Sequence, residues 1–192
     1  EMQTTAFAFS TNDEINDMTF YTTRLINRGA TNLDNTYFGQ WVDADLGNFS
    51  DDYVGCDEGL SLGFCYNGDD NDEGVLGYGL NPPSVGVDFF EGPVVTNNGV
   101  TEELGMSKFV YYNNTANSIN GNPLLATDFY NYLRGKWRTG TDILFGGDGI
   151  TGTDGTPADY MFPFDTDPAH PDQNWNEKEA GNSPADRRFI QS

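Results

Sequence analysis

Short runs of alternating apolar and polar residues recur along the chain, and each predicts a strand. Residues 4–10 (Thr-Thr-Ala-Phe-Ala-Phe-Ser) and 18–26 are the first two, the second ended by Asn27-Arg28-Gly29. Residues 36–42 are a third. Residues 53–56 and 60–66 form a hairpin around Asp57-Glu58-Gly59. Residues 85–90, after the rigid Asn81-Pro82-Pro83, and residues 108–112 extend the series, and residues 187–192 read as the opening of another strand. The period changes once. Leu125, Phe129, Tyr132, Leu133 and Trp137 recur at helical spacing, with Asn122 placed as N-cap, Pro123 at the first helical position and Gly140 past the end. That pattern predicts one helix over residues 123–138, with Lys136 and Arg138 suiting the dipole of its last turn. Residues 146–182 are loop-like, and a stretch that long is uncommon in a compact domain unless something fixes it.

Composition agrees with many short strands. Fourteen Phe, ten Tyr and three Trp supply apolar faces, while twenty-three Gly and nine Pro supply turns. A chain of 192 residues suffices for one buried core. The expectation is a single β-rich domain over residues 1–192: a β-sandwich with jelly-roll-like or fibronectin-like packing, one helix, and long loops pinned by calcium.

Charge narrows the partners. Nine Lys plus Arg stand against thirty Asp plus Glu, a net charge of −21. Nucleic acid and anionic membrane surfaces both need basic side chains, so neither is an expected partner. No stretch approaches the roughly 20 apolar residues that cross a bilayer. The start Glu1-Met2-Gln3 lacks the basic-then-apolar character of a signal peptide. A piece of a longer precursor is therefore expected, with the rest of that precursor among its partners. The two cysteines, Cys56 and Cys65, either close a hairpin-sized loop or stay as buried thiols.

Excess acid either solvates a surface or holds hard cations, and the clustering here points to cations. The strongest cluster is Asp43-Ala44-Asp45-Leu46-Gly47-Asn48-Phe49-Ser50-Asp51-Asp52, where alternating carboxylates and a turn glycine suit a loop around calcium, with Asp57 as a further ligand. It is not an EF-hand, because the twelve-residue spacing and terminal Glu are missing. Asp69, Asp70 and Asp72 form a second acidic loop, and Asp165 and Asp167 near Asp159 a third. The alternative for each is a solvated loop with nothing bound.

Catalytic patterns are weak. His170 is the one histidine and has no nucleophile motif beside it. Carboxylate pairs such as Glu91 and Glu102 occur in any acidic chain. Of the tryptophans, Trp41 and Trp137 read as core, and Trp175, in Gln173-Asn174-Trp175-Asn176-Glu177, reads as free to meet a ligand such as a glycan.

Several blocks look familiar. Asn35-Thr36-Tyr37-Phe38-Gly39-Gln40-Trp41-Val42-Asp43-Ala44-Asp45-Leu46-Gly47, followed by Asp51-Asp52-Tyr53-Val54-Gly55-Cys56-Asp57, resembles a region recurring in large proteins exported by the bacterial type IX secretion system. The resemblance continues at Leu62-Gly63-Phe64-Cys65-Tyr66, Val85-Gly86-Val87-Asp88-Phe89-Phe90, Phe129-Tyr130-Asn131-Tyr132-Leu133-Arg134-Gly135 and Asp186-Arg187-Arg188-Phe189. It implies an extracellular or outer-surface location and no assigned reaction. The reading is a non-catalytic, calcium-stabilised module of a secreted or cell-surface bacterial protein, serving adhesion or structure. The alternative is a carbohydrate-binding module or the accessory domain of a polysaccharide-degrading enzyme.

Overall fold

Alternating apolar and polar residues become strands in this computed structural model, which describes residues 1–192 except for the side chain of Asn97. The chain divides into two units, Glu1–Thr36 and Tyr37–Ser192. The first is a hairpin of β1 (Met2–Ala8) and β2 (Thr19–Leu25), paired antiparallel from Met2↔Leu25 to Ala8↔Thr19. Asp13 caps a short 3-10 turn, Glu14–Asp17, by accepting the Ile15 amide at 3.2 Å. Phe7 stacks on Phe20 and Phe9 meets both edge-on.

The second unit runs through β3 (Gln40–Asp43), β4 (Asp52–Asp57), β5 (Leu62–Asn67), β6 (Asn71–Asp72), β7 (Gly79–Leu80), β8 (Val85–Asp88), β9 (Val94–Asn97), β10 (Val100–Glu103) and β11 (Phe109–Asn113). The helix α1 (Ala126–Leu133) and strand β12 (Arg187–Gln191) complete it. All strand pairs are antiparallel. Two sheets have three strands, in the orders β11-β12-β3 and β4-β5-β8, and two-stranded ladders join β6 to β7 and β9 to β10. The fold is mainly β with one helix, as expected. Its sheets are smaller than those of a jelly roll or a fibronectin-like domain, because long irregular segments supply much of the core.

The core explains where those segments go. One face of the first sheet carries Phe109, Phe189 and Gln191, and a Cβ on Gly63 would overlap all three, so glycine there lets the β5 backbone approach that face. Tyr111, Trp137, Phe162 and Trp175 continue the buried cluster. Residues 146–182 are held by isolated bridges, Leu144↔Pro157 and Phe164↔Trp175, and by Glu177. The Glu177 carboxylate is fully buried, accepts the Val54 amide at 2.9 Å and pairs with Arg187 at 2.7 Å. Burial pushes its pKa up, and Arg187 opposes that shift.

Two expectations are corrected, and the open alternative for the cysteines is decided. The helix is shorter than residues 123–138. It begins after Leu125, because Asp128 accepts the Leu124 and Leu125 amides, and ends at Gly135, whose φ of +68° breaks the helical path. Trp137 reaches the core from the turn beyond. Cys56 and Cys65 are buried free thiols on one face of the hairpin, facing Gly63 and Val54 respectively rather than each other. The tryptophans exchange places: Trp175 is 4 % exposed, its indole N–H bound to the Gly147 carbonyl, whereas Trp41 is 53 % exposed on edge strand β3. Trp175 has polar neighbours in sequence, but its bridge to Phe164 turns the ring inward.

Candidate metal centre

Two of the acidic loops fold onto each other. Asp52 opens β4 and Asn67 closes β5, directly opposed across the ladder, so their side chains lie on the same face. That face also carries Val54 and Cys65, both fully buried, and it leads into the core. Asp52 is therefore a carboxylate at the end of a core-facing row, 2 % exposed. Its Oδ2 accepts the Leu46 amide at 3.3 Å, while its Oδ1 is buried with no hydrogen-bond partner. Asn67 is 8 % exposed and donates its amide hydrogens to the carbonyls of Asp69 and Asn71, which leaves its Oδ1 buried and unpartnered as well.

Asp51 adds a third such oxygen. Its Oδ2 accepts Asn48 Nδ2 at 3.0 Å and its Oδ1 is buried without a partner. Asp72 comes from the second acidic loop, where its two oxygens accept the Asn48 and Tyr78 amides at 3.0 and 2.9 Å. Gly47, at φ +57°, makes room for it, since a Cβ there would overlap the Asp72 carboxylate.

Electrostatics follow from burial. Desolvation pushes the Asp52 carboxyl up to about 7, the Leu46 amide and the Cys65 thiol oppose this, and the charges of Asp51 and Asp72 add to it. Asp51 is raised by burial too, with Asn48 opposing. Among the described residues no Lys or Arg is ion-paired with Asp51, Asp52 or Asp72. Calcium takes about six to eight hard oxygens. Asp51, Asp52 and Asn67 each keep one buried oxygen without a hydrogen-bond partner, the hard-donor type such an ion takes, but Asp51, Asp52 and Asp72 do not converge within 4.8 Å as Asp43, Asp45 and Asp186 do.

The other predicted ligands go elsewhere. Asp43 and Asp45 lie with Asp186, their carboxylate oxygens within 4.8 Å of one another. Arg188 enters this group, donating to Asp43 at 2.9 Å and to Asp186 at 2.9 Å, while Asp186 also accepts Asn114. Asp57 accepts the Leu60 amide at 3.0 Å and so shapes the β4–β5 turn. Asp69 accepts the Asn71 amide in the same local manner, and Asp70 is exposed. Asp165 is exposed and Asp167, though buried, accepts the Ala169 amide at 2.8 Å. Sequence reasoning missed Asn67, an amide rather than an acid, and Asp186, far away in the chain. Asn67 had a signal: it ends an alternating run just before the Gly68-Asp69 turn.

No family model matches the chain, and no curated protein or solved structure matches it either.

Proposed function

We propose that this chain is a non-catalytic, calcium-stabilised module of a secreted or cell-surface protein, serving adhesion or structure. The observation that carries the reading is the buried, unpartnered oxygens on Asp51, Asp52 and Asn67, with neither aspartate paired to a Lys or Arg among the described residues. An unpaired buried carboxylate is expensive, and a divalent cation is the partner that hard oxygens in this number select. Calcium outside cells is abundant enough to keep such a site filled, so binding would add stability by mass action. The sequence blocks that resemble exported proteins support the same setting. His170 stacks on Phe145, with ring centroids 3.8 Å apart, which is packing rather than proton-transfer geometry.

Thermal melts in millimolar calcium and in excess EDTA test the reading. An ion held at about 100 times its dissociation constant or more adds roughly 3 kcal/mol, so chelation is expected to lower the midpoint by roughly 6–12 °C. Asp52→Asn is expected to remove the calcium dependence, and Asp45→Ala to keep it. Identical midpoints in calcium and EDTA would overturn the proposal.

A further inference from the structure

The outer face of the β11-β12-β3 sheet is a second feature with its own chemistry. Strand alternation puts Trp41 and Asp43, Arg188 and Ile190, and Tyr112 on the face opposite Phe109 and Phe189. Helix α1 covers part of this face, where Tyr132 stacks on Tyr112 at 5.0 Å. The rest stays open as a groove of about 620 Å³, walled by Phe129 and Leu133 of the helix and by Asn122 and Pro123. A second depression of about 280 Å³ shares Asn114 and Asn122 with it and runs on to Arg138, so the cleft is longer than one small molecule needs.

Three features select an occupant. The first is a fixed aromatic plate: Trp41 is half exposed, and its indole N–H is tied to the Tyr112 hydroxyl. The second is a row of planar polar groups, the Arg188–Asp43 and Arg188–Asp186 pairs and the Asn114 and Asn122 amides, which offer donors and acceptors side by side. The third is charge. Asp43, the one carboxylate that lines the groove, already has Arg188 as its counter-ion, and a chain at −21 repels polyanions. We propose that the groove binds a neutral oligosaccharide, with one sugar ring lying on Trp41 and its hydroxyls on the Arg188 pairs and the asparagine amides. An apolar wall with a few convergent polar groups is the usual make-up of a small-ligand site. The groove contains none of Asp51, Asp52, Asn67 or Asp72, so the proposal stands apart from the calcium reading.

Trp41 also reports on itself, because Trp137 and Trp175 are buried. The full chain, in calcium, is titrated with hexasaccharides of β-1,4-glucan, β-1,3-glucan, xylan, mannan and chitin, and with a lysine-rich decapeptide. At least one sugar is expected to change tryptophan emission and shield it from acrylamide. By isothermal titration calorimetry, Trp41→Ala is expected to weaken that binding by about tenfold or more, with Trp41→Phe between it and the wild type, and melting unchanged in both. No binding of any sugar at millimolar concentration would overturn the proposal. Equal affinity of wild type and Trp41→Ala would do the same, as would shielding by the decapeptide alone.

Discussion

The two carboxylate groups of the larger unit are compensated in opposite ways. Asp43, Asp45 and Asp186 gather around a guanidinium, so Arg188 supplies the positive charge from within the chain. Asp51, Asp52 and Asp72 accept from backbone amides and from the Asn48 side-chain amide, and among the described residues none of them is paired with a Lys or Arg. The first group has its cation from within the chain, yet it too keeps one buried oxygen without a hydrogen-bond partner, Asp43 Oδ1. The second is left with buried oxygens that ask for something from outside. Acidic clustering alone does not separate these cases; the position of one basic residue does.

Chelation is the largest expected break in that comparison, since it acts on the second group alone. Next in size is a pH effect in EDTA. Burial raises Asp52 from 3.8 to about 7 in the folded state, so the native protein binds more protons than the unfolded chain between those values. The Asp52 contribution then falls as pH rises through that window and is flat above it. Between pH 5 and 8 it is expected to amount to about 2–3 kcal/mol, measured by denaturant unfolding as the difference between wild type and Asp52→Asn. A parallel pH dependence in the two proteins would contradict the role given to Asp52.

Arg188→Met sharpens the comparison by turning the first group into a copy of the second. It is expected to cost about 2 kcal/mol, because Asp43 and Asp186 lose their counter-charge. Made on an Asp52→Asn background, the variant should regain part of that loss in calcium, which differential scanning calorimetry would detect. The smallest effect is expected at Asp57→Ala, which removes one turn hydrogen bond worth up to about 1 kcal/mol and leaves the calcium response of the melt unchanged.

What the sequence made legible follows from the range of the physics involved. Period-two alternation is local, so strands β1, β2, β8 and β11 and the β4–β5 hairpin could be read directly. The helix was overdrawn because Trp137 keeps the spacing of Leu133, while Gly135 acts through its φ angle rather than through polarity. Asp51, Asp52 and Asp72 were legible as acids. Their surroundings were not, because these depend on the pairing of Asp52 with Asn67 and on the fold of the Asp69–Asp72 loop against Asn48. Asp43 and Asp45 were legible as acids, but the Arg188 that donates to Asp43 from 145 residues away was not. Trp41 and Trp175 were exchanged for a similar reason, since neither β3's edge position nor the Phe164 bridge shows in neighbouring residues.

The position of β12 has a consequence for how the chain folds. This strand lies at the centre of its sheet, yet it comes last of all the strands in order of synthesis. Strands β3 and β11 have no ladder to each other and meet only through it. Its adjacent arginines also finish two separate jobs, Arg187 neutralising Glu177 inside and Arg188 neutralising Asp43 and Asp186 outside. A chain emerging from its N-terminus thus stays open along this sheet until residue 191 is available, and then closes loops of very different length together. High sequence separation makes such closure slow. The unfinished chain meanwhile carries uncompensated negative charge, whose repulsion opposes premature collapse.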